Sequence, residues 1–300
     1  MNTKFWLILA IFLVISGAAL FAGIMTMLGW DFTKLTTTAY VTNQHTITED
    51  FTNISIVVDT SKIQFLPSQD GTCSIICYEQ ERVTHSVAVR DGTLVIETQD
   101  TRKWYEYIGI HFSKPKITIY LPMGQYGELA IRTCTGNVSI TQPYTFTNVH
   151  ITLSTGNIQI SDVSADTMAL SVSTGDIHAT NLHHLDGMNV FVATGDSILE
   201  NISCRHFASG GGTGDVSMRN VIASGTMTVT RATGDITFFA CDAGEILIEA
   251  DTGDVSGTVL SDKIFFAHTN TGRVEVPKTT TGGKCEITTS TGNIQIRIHH

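Results

Sequence analysis

The chain has 300 residues, of which 42% are hydrophobic and only 15% are charged, and its formal net charge is −10. This composition excludes wholesale disorder, and 26 glycines beside five prolines fit neither collagen nor a proline-rich linker. An acidic balance without a basic tract argues against nucleic acid as a partner.

The first predicted element is a membrane-spanning helix. Residues 5–30 carry no charge and lie between Lys4 and Asp31. At about 1.5 Å per residue, this run exceeds the roughly 30 Å hydrocarbon core of a bilayer. A cleaved signal peptide is the alternative, but its apolar segment is usually only about 7–15 residues long. We therefore expect residues 1–30 to form a single-pass plasma-membrane anchor with a short cytoplasmic start, and residues 31–300 to be extracytoplasmic.

Two regions of lower regularity are predicted next. Residues 31–50, rich in threonine and other polar residues, are expected to form a short stalk, and residues 51–128 an irregular β region. Around Ser61, apolar residues alternate with polar ones on both sides, which predicts a degenerate first coil. Further along, Asp91-Gly92 separates two alternating runs and predicts a hairpin with a type I′ turn.

Three aromatic residues after this hairpin form a candidate contact loop: Trp104, Tyr105 and Tyr107. Exposed aromatic side chains are frequent anchors in protein interfaces, which supports a role in binding a partner. The same side chains could instead cover the open end of the first coil. This covering role is the favoured interpretation.

From residue 129 onward the chain repeats. Nine Thr-Gly pairs recur at spacings of 19 or 20 residues, and their glycines are Gly136, Gly156, Gly175, Gly195, Gly214, Gly234, Gly253, Gly272 and Gly292. Most residues seven and five positions before these glycines, and two and four positions after them, are apolar, with polar residues between them. This alternation predicts a short strand on each side of every glycine, and the fixed period predicts coils stacked in parallel about 4.8 Å apart.

The predicted fold class is therefore all-β, a parallel β-solenoid (a single-stranded β-helix of about 20 residues per coil) after one N-terminal transmembrane helix. The regular part covers residues 129–300 and contains nine coils. Stacking in chain order places Ile151 beside Leu170, and Leu170 beside Val190. A further apolar column is expected seven positions after the glycine, at Val163, Leu182, Ile202, Val221, Cys241 and Leu260.

The corner after each glycine has two interpretations. Glycine accepts the positive φ that a sharp corner needs, and five consecutive coils follow it with aspartate: Asp176, Asp196, Asp215, Asp235 and Asp254. Short Asp and Asn side chains bond to nearby backbone N–H groups in turns, but a carboxylate column could also hold a cation or contact a partner. Calcium-binding solenoids use a denser glycine–aspartate pattern with several ligands per ion. The structural corner is favoured, and we predict no metal and no cofactor.

Motifs for catalysis are absent from the sequence, which has no Gly-x-Ser-x-Gly, His-Glu-x-x-His or phosphate-binding glycine loop. We therefore predict that the protein is not an enzyme. Four residues of one coil, His178, His183, His184 and Asp186, could bind a metal, but they are interpreted as solvated loop residues because no Cys or acidic partner recurs at ligand spacing. The six cysteines are predicted to be free, buried thiols.

Three segments together resemble a known family: Gly29-Trp30-Asp31-Phe32 after the predicted span, Ile119-Tyr120-Leu121-Pro122 before the array, and the repeated Thr-Gly-Asp/Asn coils. They are similar to the bacterial "putative adhesin" family, a group of domains of unknown function that includes LiaG-like envelope-stress proteins. The resemblance implies a membrane-anchored β-solenoid that faces the cell wall, and it brings no catalytic residues.

Three functional classes remain open from the sequence. The first is an adhesin-like module that binds a cell-envelope protein or a wall polymer. The second is a sensor in the envelope-stress response. The third is a scaffold that self-associates end to end, because parallel solenoids can stack unless their termini are capped.

Overall fold

A computed structural model describes residues 3–31, 39–104 and 115–299 of the chain. The described residues form one α-helix and 21 β-strands, and the strands belong to one continuous sheet that winds into coils. Nearly all pairings along the Thr-Gly array are parallel, and the buried side chains fill the interior of the coils. The predicted parallel β-solenoid is confirmed.

The helix α1 (Thr3–Met27) is apolar along its length. Residues Lys4–Met27 are long and apolar enough to cross a membrane, and none of their most apolar stretch is buried in the protein. A signal sequence has the same properties of length and composition. The helix is therefore a candidate membrane span.

The strands before the array are β1 (Tyr40–Ile47), β2 (Asn53–Thr60), β3 (Lys62–Pro67), β4 (Cys73–Gln80), β5 (Val83–Arg90), β6 (Thr93–Asp100) and β7 (Lys116–Leu121). The strands of the array are β8 (Gln125–Thr135), β9 (Val138–Ile140), β10 (Thr145–Thr155), β11 (Ile158–Ser161), β12 (Thr167–Thr174), β13 (Ile177–Thr194), β14 (Ser197–Thr213), β15 (Val216–Thr233), β16 (Ile236–Thr252), β17 (Val255–Val259), β18 (Lys263–Thr271), β19 (Val274–Glu275), β20 (Gly283–Thr291) and β21 (Ile294–Ile298).

The middle of the array has the register that the sequence predicts. Ile151 lies beside Leu170, and Leu170 lies beside Val190. The apolar column seven positions after the glycine is buried in five coils but not at Leu260, which is 41% exposed. There Val259 lies beside Cys241 and takes the inward place, because a register shift after Phe238 shortens this coil by one residue. The prediction for Leu260 was wrong.

One end of the solenoid is closed by antiparallel strands, and we call it the covered end. The coil formed by β2 and β3 turns at Ser61 and stacks on β8 and β9, as a degenerate first coil should. Its other side carries a layer made of β6 and β7. Beyond that layer, β5 pairs with β6 through the predicted hairpin, where Asp91 and Gly92 have φ of 50° and 72°. Finally, β4 pairs antiparallel with β7 and with β1.

The stalk predicted for residues 31–50 does not extend over Tyr40–Ile47, because these residues form β1 and pair with β4 along their whole length. Valine, threonine and isoleucine in this segment favour extended backbone, so the polar composition of the segment did not predict its strand. The segment therefore belongs to the closing layer of the covered end.

The other end, which we call the open end, departs from chain order. The last coil of the sequence, β20 with β21, lies between the coil of β16 and β17 and the coil of β18 and β19. The expectation of stacking in strict chain order was wrong here. In the inserted coil Cys285, Ile287, Ile294 and Ile296 are all buried, whereas Phe265 and Ala267 of the outermost coil are only partly buried. The inner layer thus buries the apolar residues of β20 and β21 on both sides, which stabilises the fold.

Candidate functional site

The nine corner glycines are required by their backbone geometry. Their φ angles lie between 122° and 152°, a region that residues with a side chain rarely adopt. A Cβ atom added to Gly214 would overlap the carbonyl oxygen of Gly195 in the neighbouring coil, and the other corners are equally tight. The Thr-Gly repeat is therefore explained by the close stacking of corners.

The five aspartates after these glycines form a hydrogen-bonded column, which we call the corner ladder. The backbone N–H of Asp196 donates to Oδ1 of Asp176 at 2.9 Å, and the bonds from Asp215, Asp235 and Asp254 to the preceding aspartate measure 2.8 Å. The same bond joins neutral residues elsewhere in the column, for example Asn157 to Asn137 at 3.0 Å. One oxygen of each carboxylate thus satisfies a backbone donor, and an uncharged side chain can replace it.

A buried guanidinium lies inside the coils near this ladder. Arg231 donates to the Val192 carbonyl at 3.0 Å and to the Ser197 hydroxyl at 3.2 Å. Gly211, which lies beside Arg231 in the preceding coil, has no side chain and therefore leaves the space that the guanidinium fills. Burial lowers the pKa of Arg231, and the negative charges of Asp196 and Asp215 act in the opposite direction. This cluster explains why Ser197 interrupts an otherwise apolar column.

A second ladder lies six positions after the glycines, and the sequence analysis missed it. Asp162, Asn181, Asn201 and Asn220 have φ between 53° and 61°. Each asparagine amide donates to the residue one coil earlier, at 3.0 to 3.1 Å. Asparagine tolerates this left-handed conformation better than most residues, so its recurrence at a fixed offset was the available signal.

The histidine-rich coil is solvent-exposed, as expected, but its residues lie on a strand. His178, His183, His184 and Asp186 are all exposed on β13, close to a register shift between Leu182 and Leu185. In the described part of the chain, no three metal-ligand atoms come together there. The interpretation as loop residues was therefore wrong about the local structure.

The covered end contains a buried polar cluster that local sequence patterns did not indicate. His85 Nδ1 lies 2.5 Å from Glu79 Oε2, and its Nε2 lies 3.2 Å from the Ser61 hydroxyl. The other carboxylate oxygen accepts a bond from Asn43 at 2.6 Å. This serine–imidazole–carboxylate order is the one that hydrolases use. However, Ser61 is only 1% exposed and its hydroxyl donates to the Thr60 carbonyl, so substrate has no access to it.

The same cluster has a composition that could bind a metal, because Cys77 lies within 4.8 Å of the Glu79 and His85 ligand atoms. Burial and the charge of Glu79 raise the pKa of Cys77 to about 12, so the thiol is protonated at neutral pH. The hydrogen bonds already satisfy the carboxylate and the imidazole. The arrangement is that of a packed polar core, and it holds the turn between β4 and β5 against Ser61.

Two surface clefts lie near these features. One has a volume of about 400 Å³ at the covered end and is lined by residues 47–51 and Tyr126, whose ring stacks on Phe51 with centroids 6.0 Å apart. The other has a volume of about 570 Å³ and runs beside the corner ladder near the open end, where exposed Thr237, Asn293 and Gln295 line it. The second cleft is rich in hydroxyl, amide and carboxylate groups.

The remaining candidate residues are the aromatic residues of the predicted contact loop and the six cysteines. Trp104 is 79% exposed, whereas Tyr105 and Tyr107 lie outside the described residues. All six cysteines are free thiols, as predicted, and five of them are buried. The exception is Cys134, which is exposed.

The Toastrack DUF4097 family model matches residues 51–298, nearly all of the solenoid. The chain belongs to this family. The match begins after β1 and ends at the last residue of β21, so it covers every strand of the Toastrack solenoid described above except β1. No curated relative matches the chain.

Several solved structures are similar to this Toastrack chain. A "putative adhesin" from Parabacteroides merdae is 12% identical with a TM-score of 0.47, covering 86% of this chain and 96% of its own. A "putative adhesin" from Bacteroides fragilis is 15% identical with a TM-score of 0.43, covering 86% and 97%. A "putative lipid binding protein" from Parabacteroides distasonis is 13% identical with a TM-score of 0.45, covering 87% and 98%.

Proposed function

We propose that this protein is a non-catalytic binding module of the cell envelope, anchored in the plasma membrane by residues 5–30, with residues 31–300 outside the cytoplasm. The observation that carries the proposal is the use of the repeated residues. The corner glycines and the ladder carboxylates serve the backbone of neighbouring coils. The groups that can contact a partner are therefore the side chains on the exposed lateral faces of the solenoid.

The cleft beside the corner ladder is the best candidate contact surface for a wall polymer. Thr237, Ser256 and Gln295 occupy the same position of their coils, three residues after the glycine, and follow one another along the rod. Hydroxyl and amide groups in a row suit a polymer rich in hydroxyl and amide groups, because both partners donate and accept hydrogen bonds. A sensor in the envelope-stress response that binds a partner protein would use the same surface.

Cosedimentation with purified cell-wall sacculi tests the binding proposal. The full chain, solubilised in detergent, is expected to sediment with the sacculi, and Gln295→Ala should weaken this binding. The matched control is Gln159→Ala, which changes the equivalent exposed position of a coil outside the cleft. If the full chain stays in solution, or if both variants bind equally, the cleft is not the contact surface.

Fractionation of cells tests the anchoring proposal. The protein is expected to stay in the membrane pellet after carbonate washing, and external protease should digest residues 31–300 once the wall is removed. A shortened chain released into the medium would show that α1 is a cleaved signal.

Paired melts test whether the corner ladder needs calcium. Because each ladder residue already bonds to a backbone N–H, calcium and EDTA should leave the melting temperature nearly unchanged. A bound ion would instead stabilise the fold by about 2.7 kcal/mol at one hundred times its dissociation constant. A large drop with EDTA would identify a calcium-binding solenoid.

A further inference from the structure

At the open end, the outermost strands of the array have a neighbouring strand on one side only. Among the described strands, β18 pairs only with β20, and β19 pairs only with β21. The Lys263 carbonyl accepts a hydrogen bond from the Thr279 hydroxyl, and from Ile264 to Thr271 the outer edge of β18 presents a row of backbone N–H and C=O groups. Such an edge is a template for another strand.

Apolar surface accompanies this free edge. Phe266 is 55% exposed, Val274 is 44% exposed and Ile264 is 38% exposed. Phe265 and Ala267 of the same strand, which belong to the inward columns, are only partly buried. At the covered end, by contrast, Ile75 and Cys77 beneath β1 have no exposed surface. The hydrophobic core is thus continuous with solvent at one end of the rod only.

The edge also lacks the residues that usually prevent strand pairing. From Ile264 to Thr271, β18 contains no Lys, Arg, Asp, Glu or Pro. Lys263 precedes this stretch, but its side chain is buried and donates to the Ala243 carbonyl at 2.7 Å. Natural edge strands are commonly protected by exposed charges or proline. This one is not.

We propose that two copies of this chain pair through their open ends, with β18 of one copy antiparallel to β18 of the other. A two-fold axis across the strand makes any edge complementary to itself, and the contact buries the apolar surface of both copies. On β19, Arg273 and Glu275 flank Val274, so the open end carries charges of both signs beside its apolar surface.

The covered end is a poorer partner for this edge. Its outermost strand β1 exposes the polar residues Thr42, Asn43, Gln44 and Thr46. Stacking the open end of one copy on the covered end of another would bury apolar surface on one side only. The pairing therefore closes at two copies and does not extend into a filament.

Cysteine cross-linking of the full chain in membranes tests the geometry. In a Cys134→Ser background, which removes the exposed native thiol, the double change Phe266→Cys and His268→Cys places two thiols on exposed β18, and these two positions face each other between copies when the two-fold axis passes through Ala267, the centre of the strand. Oxidation is expected to give a disulfide-linked dimer, because facing residues of antiparallel strands lie within disulfide range. The control is Phe191→Cys on the lateral face of β13, at a residue 49% exposed. Equal cross-linking of the β18 variant and the control would overturn the proposal.

Sedimentation of the detergent-solubilised full chain gives an independent measurement. Phe266→Lys replaces apolar contact surface with a charge on the edge strand, which opposes pairing, and we expect the dimer dissociation constant to rise at least tenfold, while Phe191→Lys leaves it unchanged. A wild-type chain that is monomeric at micromolar concentration contradicts the proposal. So does a dimer that survives Phe266→Lys, since that dimer would be held by α1 or by a lateral face.

Discussion

The stack of coils terminates differently at the two ends of the solenoid. Both depart from chain order, because β2 and β3 lie between later strands at the covered end, and β20 and β21 lie between earlier strands at the open end. Only the covered end adds antiparallel strands and a buried polar cluster beyond its last parallel layer. The open end stops at an unprotected strand.

This difference separates two properties that repeat proteins need. Threading a coil between two others ties a terminus to both neighbours, so the last coil of the sequence cannot peel away alone. Capping is a separate task, because it requires side chains that cover the apolar interior. The covered end has both properties, whereas the open end has only the first.

The largest contrast between the ends is expected for their histidines. His85→Ala leaves the buried Glu79 carboxylate without its imidazole partner, which should destabilise the fold by about 3–5 kcal/mol. His268→Ala at the open end changes an exposed side chain and should cost less than about 0.5 kcal/mol. Urea denaturation followed by circular dichroism measures both. Equal losses would mean that the polar cluster does not stabilise the covered end.

Truncation of core residues should give a similar contrast. Ile119 of β7 is completely buried, and Ile119→Ala should destabilise the protein by about 2–5 kcal/mol through lost burial and a cavity. Val274→Ala at the open end removes a side chain that is already 44% exposed, so we expect a loss below about 1 kcal/mol. Thermal melts of the two variants compare them. If two copies pair through their open ends, as proposed above, the loss of stability caused by Val274→Ala would grow with protein concentration.

Corner glycines allow the middle of the rod to be compared with its open end. Gly214→Val combines a strained φ with overlap of a neighbouring carbonyl, and should cost at least about 1 kcal/mol in global stability. Gly272→Val meets the same overlap against Gly292, but only the outermost coil must loosen. Hydrogen exchange should therefore show a local loss of protection at β18 and β19 for the second variant. A global loss of equal size in both would contradict this difference.

The smallest effect concerns pH and the buried thiols. Burial raises the pKa of both Cys77 and Cys285 to about 12, above the ordinary 9.0. A raised pKa means that folding favours the protonated thiol, so this stability is present below pH 9 and is lost as pH rises toward 12. The melting temperature should fall over that range.

Thiol labelling of the native protein at pH 8 gives the control for this prediction. Cys134 should react first because it is exposed. Cys285, in the coil beneath the open end, should react faster than Cys77 under the covered end, because the open end opens locally more often. Reaction of Cys77 first would reverse the comparison between the ends.

Much of the fold was predictable because it depends on local, repeated geometry. Each corner needs a glycine, followed by a residue whose side chain accepts a hydrogen bond from the backbone N–H of the next coil. The same residue types therefore recur at every corner of the sequence. The alternation of apolar and polar residues then fixes which side chains point inward. Ser61 was recognisable as a corner for the same reason, although it is not glycine.

The candidate sites were less predictable because they join distant parts of the chain. Ser61 lies at a corner, while Glu79 and His85 come from two strands, and no short motif connects them. Arg231 and Ser197 meet across two coils, so the serine looked like an isolated exception in an apolar column. Only the second ladder left a regular signal, an asparagine at a fixed offset, that the sequence could have provided.

The sequence by itself determined the period, the corners, the inward columns and the apolar segment that can cross a membrane. It did not determine the order in which coils stack at the two ends. Equivalent coils carry the same columns, so each can pair with any other, and the spacings of 19 and 20 residues are the same for threaded and unthreaded coils. Only the tertiary structure decided that order: pairing between strands that are distant in sequence placed β20 and β21 in the inner layer, which left β18 as the exposed edge.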